Sequence, residues 1–150
     1  DFVNGKYSNC FPEYQKERKV ILWLAGLKRY GKYEIMNLDK VPMPISMHTI
    51  RATFMAGAMS GQTTSIMLDL HEILSDYWYK VSKKGETVFG LSPVEFQIYL
   101  WILSKYGCTV GRKEKTVCSL KDQCPCGNFC STGIFDSYGT YVKIDVAKKI

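Results

Sequence analysis

The chain has 150 residues, 46% of them hydrophobic and 23% charged, and no stretch polar or repetitive enough to be read as disordered. That is the size of one ordinary domain, able to bury about 70% of the surface its unfolded form exposes, so folding does not require disulfides or a metal. The longest uncharged stretch, Ala52 to Leu68, is too short and too rich in Gly, Gln, Ser and Thr to span a bilayer, which excludes a transmembrane segment and predicts a soluble protein.

The net charge of +6 is unevenly placed, with the excess at both ends and a neutral middle. Such a distribution suits surfaces that meet nucleic acid or anionic lipid, and equally a generally basic, soluble exterior. The first residues carry no basic-then-apolar leader and no small-residue cleavage site, so residue 1 is read as a processed or cut end. Asn-x-Ser/Thr is absent, which argues against heavy glycosylation.

In chain order, Pro12 to Tyr30 predicts a helix: Pro-Glu opens it, an apolar run from Val20 to Ala25 fills it, and Lys28-Arg29 precede Gly31. A buried strand from Lys19 to Leu27 is the alternative. Tyr33 to Val41 alternates as a strand ended by Pro42 and Pro44. Ala56 to Thr63 follows the spacing of a phosphate loop, with Ile50 to Phe54 as a preceding strand and helix after it. Gln62 replaces the required lysine and no magnesium-binding aspartate follows an apolar run, so nucleotide hydrolysis is not expected and a small-residue turn is the plain reading.

Ile66, Leu70, Ile73, Leu74, Tyr77, Trp78 and Val81 recur at helical spacing opposite Asp69, Glu72 and Asp76, which predicts an amphipathic helix of about four turns. A second helix, Ser92 to Tyr106, opens Ser-Pro-Val-Glu with the elements of a capping box and is expected to end at Gly107. Its circumference is almost wholly apolar, which speaks against a DNA-reading helix in a winged-helix arrangement and for a core helix whose aromatic edge is available for self-association.

After Gly107 the pattern changes to short β-like runs: Cys108 to Val110, Thr116 to Leu120, Gly133 to Phe135 and Thr140 to Val146. The last two are joined through a turn at Asp136 to Gly139. The expected architecture is a single α+β domain, residues 1–150, with two central helices and a C-terminal, cysteine-bearing antiparallel β region.

Of the six cysteines, Cys118, Cys124, Cys126 and Cys130 fall within thirteen residues, with Cys108 ten positions upstream. Thiolates are soft, charged zinc ligands, and proline and glycine beside Cys-x-Cys turn the backbone so that amides face the sulfurs. Zinc held by some of these five cysteines is the favoured reading, ahead of disulfides and of unligated thiols. The segment Cys-Pro-Cys-Gly-Asn-Phe-Cys is similar to the short zinc loop that follows SET methyltransferase domains, although it has one residue fewer before its last cysteine. Nothing else in the chain resembles a SET domain.

Arg112, Lys113, Lys115 and Lys121 lie inside or beside the cluster, so the basic subregion 108–130 is expected to present cations to phosphates from a metal-stiffened loop. A solvated loop whose lysines only keep it soluble is the plainer alternative. Cys10 as a nucleophile with His48 or His71 as base lacks an oxyanion donor and an orienting residue, so an enzyme is the least supported class. Either histidine is also a possible partner for the cysteines in a metal site.

The expected function is therefore a non-enzymatic, zinc-stabilised protein that presents a basic loop to nucleic acid. A small viral matrix-like or accessory protein, self-associating and touching membrane or nucleocapsid, is the second reading. A secreted, disulfide-bonded effector domain is the third. An intracellular location goes with zinc, a secreted one with disulfides.

Overall fold

The computed structural model describes residues 18–111, 117–139 and 141–147. It is α+β: four helices and a three-stranded antiparallel sheet, with the five described cysteines in the C-terminal region. The chain divides into two compact units, one of residues 1–44 and 75–97, the other of residues 45–74 and 98–150.

The first unit contains α1 (Arg18–Gly31). Its apolar run is helical, as expected, and not a strand. Ala25 is fully buried and forms a small core with Leu38 and Val94, onto which Ile21, Leu22, Leu24, Ile35 and Val41 pack. The expected strand at Tyr33 to Val41 does not form. Asn37 takes a left-handed conformation and Leu38–Lys40 wind into a 3-10 turn, so Leu38 reaches the core from a bend while Tyr33 and Met36 stay exposed. Alternation here marked which side chains the bend tucks in, not a ladder.

Helix α3 (Met67–Phe89) extends well beyond the four turns the spacing implied. Within the first unit it buries Trp78 against Phe96, ring centroids 5.6 Å apart. Helix α4 begins at Pro93 behind the expected capping box. The Ser92 amide and hydroxyl both donate to the Glu95 carboxylate, at 3.1 and 2.6 Å, and the Glu95 amide donates back to the Ser92 hydroxyl at 3.4 Å. Lys28 of α1 stands 3.6 Å from the same carboxylate.

The second unit corrects the reading of residues 50–63. Ile50 to Phe54 belong to helix α2 (Met47–Met55), capped by a reciprocal Ser46–Thr49 box. Gly61–Ile66 is strand β1, so the phosphate-loop context of strand, loop and helix is reversed. β1 pairs with β3 (Tyr141–Ala147), which also pairs with β2 (Thr132–Tyr138), giving the order β1-β3-β2. In the central strand Val142, Ile144 and Val146 are buried while the residues between them face out, and the sheet packs on α2. The hairpin joining β2 to β3 is the expected one, with a tighter turn, since Asp136 to Tyr138 continue the strand and Gly139 adopts φ 59°.

Gly107 does not stop α4 (Pro93–Ile102). The chain widens into a π-helix at Leu103–Cys108 and closes with one further turn at Thr109–Gly111. The Thr109 amide bonds back to the Ser104 carbonyl, five residues away, and the Thr109 hydroxyl donates to the same oxygen at 2.7 Å. That second donor strengthens a wide turn that a regular helix would close at four. The expected strands at Cys108 to Val110 and at Thr116 to Leu120 are thus replaced by helix at the first; over the described residues of the second, Val117 to Leu120, there is no strand but a turn.

Candidate metal centre

A string of short turns, not strands, gathers the cysteines. Between Cys118 and Cys130 the backbone closes one three-residue step after another: Lys121 donates to the Cys118 carbonyl, Cys124 to Lys121, Gly127 to Cys124, Phe129 to Cys126 and Cys130 to Gly127, at 2.8 to 3.3 Å. Two 3-10 turns, Lys121–Gln123 and Gly127–Phe129, lie within it. Such tight winding turns the Cys-Pro-Cys-Gly stretch back on itself, as its composition suggested.

The loop is tied to its surroundings at both ends. The Ser119 amide and hydroxyl donate to the Gly111 carbonyl at 2.8 and 3.1 Å, which joins the loop to the end of the π-helical segment. The Ser131 amide donates to the Met55 carbonyl at 3.0 Å, which joins it to the end of α2. Three glycines permit the close approaches. A Cβ on Gly57, whose φ is +76°, would collide with the Phe129 carbonyl; one on Gly127 with the Lys121 carbonyl; one on Gly111 with the Cys118 sulfur.

The result is a cavity of about 20 Å³ lined by all five described cysteines, Cys108, Cys118, Cys124, Cys126 and Cys130, together with Met55, Leu103, Leu120 and Lys121. That volume holds one water-sized body. Cys108 comes from the π-helix and is buried; the other four come from the loop and are half-buried. No disulfide joins any two of these five cysteines. Burial pushes the Cys126 thiol up from its ordinary pKa, and the neighbouring Cys124 and Cys130, with a Cys124 hydrogen bond, push it further the same way. Charge on Cys124 or Cys130 thus opposes a thiolate at Cys126, a conflict that a bound cation removes. Among the described residues no three His, Cys, Asp or Glu side chains already stand in ligand geometry, so closing on an ion requires the sulfurs to draw inward.

The five cysteines named from the sequence are therefore brought to one place. Of the four cations, Lys121 lines the same cavity, while Arg112, Lys113 and Lys115 lie outside the described residues, as does Cys10. Neither histidine lines the cavity. His48 sits 3.2 Å from the Ser104 hydroxyl and edge-on to Trp101, with ring centroids 5.8 Å apart. Burial lowers its pKa, and the charges of Arg51 and Lys105 lower it further.

Sequence reasoning missed a second cluster around that histidine. Lys105 lies 4.6 Å from the Trp101 ring centroid and 5.4 Å from that of Tyr106, and the two rings meet edge to face at 5.9 Å. Arg51 donates to the Thr109 hydroxyl at 2.8 Å and stacks over Phe135 at 5.0 Å. His48 and Arg51 lie more than fifty residues from their partners in sequence, and only the aromatic edge of the Ser92–Tyr106 segment hinted at the cluster.

No protein family, curated protein or solved structure matches the chain. Among the described residues no helix is long and apolar enough to cross a membrane.

Proposed function

We propose that the protein is a non-enzymatic nucleic-acid-binding module braced by one zinc ion in the cysteine-lined cavity. The convergence of Cys108, Cys118, Cys124, Cys126 and Cys130 on a single cavity supports it more than any other observation. Four thiolates satisfy tetrahedral zinc, and a fifth lies within reach as an alternate. Cys124 and Cys130 oppose ionisation of Cys126, which a divalent cation relieves.

Two of these cysteines, Cys108 and Cys118, flank Arg112, Lys113 and Lys115 in sequence. Joining them through a metal shortens the loop those cations occupy, lowers the entropy lost when they meet phosphates, and leaves Lys121 beside the same centre.

Elemental analysis paired with thiol counting under denaturing conditions tests the metal: the expected result is one zinc per chain and all six cysteines free. Purification with three disulfides and no metal overturns it. Titration with RNA at two salt concentrations tests the loop. Arg112→Ala with Lys113→Ala should weaken binding and flatten its salt dependence, and unchanged affinity would show that the loop is not the contact.

A further inference from the structure

We infer that Trp101, Tyr106, Lys105 and Arg51 form a stacking platform for single-stranded nucleic acid, a second contact surface apart from the cysteine loop. The inference rests on the nucleic-acid reading above and adds which form of nucleic acid is bound. The π-helix places Tyr106 where 59% of its surface is open, next to the half-buried Trp101. One exposed lysine lies over both rings.

An aromatic ring paired with a mobile cation suits an unpaired base: Lys105, now over both rings, swings aside to meet the phosphate as the base stacks in its place. A duplex hides its base faces within the stack and leaves an aromatic platform only phosphates and groove edges to meet. The positive charge also selects against the other occupant an apolar helix edge invites. A second copy docked on the same patch would set Lys105 and Arg51 against their own kind. Among the described residues the groups whose charge acts on Arg51 are Cys108, when ionised, and Asp136 on β2, which lies opposite Lys143 in the β2–β3 ladder.

The positions of the groups also suit a strand in passage. Tyr106 and Trp101 lie along one helical segment, and Thr109, one turn further, holds the Arg51 guanidinium in place. Arg51 is also fixed over Phe135, so it offers its remaining donors with little ordering cost.

The test compares fluorescence anisotropy of a labelled oligo-dT single strand and of a duplex of equal length, using the full chain with its zinc content measured. Tyr106→Leu keeps apolar bulk and removes the ring. It is expected to weaken single-strand binding about tenfold at both low and high salt, leaving duplex binding and zinc content unchanged. Lys105→Ala should lower the salt slope for the single strand by about 0.7. If Tyr106→Leu leaves single-strand affinity intact while Arg112→Ala with Lys113→Ala still weakens both substrates, the platform is wrong and the loop reading stands. If the wild-type chain binds neither substrate, both are wrong. A change in sedimentation mass on Tyr106→Leu, without a change in single-strand binding, identifies the patch as a self-association face and also overturns the platform.

Discussion

Gly127 offers the sharpest single-atom test of how the cysteine loop is built. One of its Cα hydrogens points at the Lys121 carbonyl, and the Cβ of an alanine there would collide with a backbone oxygen that cannot rotate away. That oxygen accepts from the Cys124 amide, so relief of the collision moves Lys121 and stretches a hydrogen bond already at 3.3 Å. Overpacking of this kind costs about 1–3 kcal/mol and the weakened bond about 1 kcal/mol, against about 0.5 kcal/mol returned by the stiffer unfolded chain. A net cost of about 2 kcal/mol moves a urea midpoint by about 1 M at a slope of about 2 kcal/mol/M. The same strain opposes closure of the loop on zinc and weakens the metal about 30-fold in competition with a chromogenic chelator. Gly139→Ala is the control. Its φ of 59° strains any side chain but nothing lies within 4 Å, so it should cost about 1 kcal/mol and leave zinc binding alone. Wild-type zinc affinity and an unmoved midpoint in Gly127→Ala would refute the close approach and, with it, the tight winding that gathers the sulfurs.

Three further outcomes follow from the geometry. Burial pushes the Glu95 carboxyl up, but the Ser92 hydroxyl and amide and the Lys28 charge pull it down by more, so its folded pKa lies below its ordinary value. The stability it contributes is therefore present above the ordinary carboxylate range and lost as pH falls through the folded value. Glu95→Gln should lower the urea midpoint at pH 7 and flatten its decline between about pH 5 and pH 2. Gly26, in α1 with open space around it, should tolerate alanine and gain about 0.5–1 kcal/mol by thermal or urea unfolding. His48, held down by burial and by Arg51 and Lys105, should titrate below the ordinary histidine value by NMR, and Lys105→Ala should raise it.

What the sequence made legible was local. The Ser92–Glu95 box is written in four consecutive residues and needs only its own turn to form, so its start was plain. The hairpin of β2 and β3 is likewise a local pairing across one glycine turn. The misread segments are those where distant partners decide. Gly61–Ile66 is polar and short and becomes a strand only because Val142, Ile144 and Val146 of the last strand bring an edge for it to pair with. Cys108 to Val110 is β-branched enough to suggest a strand, yet the Thr109 hydroxyl and the Arg51 donor draw it into a helical end. The cysteine cluster was legible as composition. That Cys108 joins it from a helix, with Met55 and Leu103 closing the cavity, depends on the packing of α2 against the π-helix and could not be counted from spacing.

The way the loop is anchored also determines what a zinc ion bound there, as proposed, would have to do. Ser119 is bonded to Gly111, Ser131 to Met55, and the steps from Cys118 to Cys130 to one another, all through groups of the backbone and one hydroxyl that need no metal. Behind them stands a sheet and helix core with Ile50, Met55, Val142 and Ile144 fully or almost fully buried. In small zinc fingers the metal supplies most of the folding free energy, and removing it unfolds the domain. Here chelation should leave the far-ultraviolet circular dichroism of the helices intact, while amide exchange accelerates selectively between Cys118 and Cys130 and RNA affinity falls. The metal would then act on the order of the Cys118–Cys130 loop and not on the existence of the fold. Cooperative loss of helix on chelation would show instead that the cavity is the keystone of the second unit, and that the backbone anchors are too weak to hold the loop by themselves.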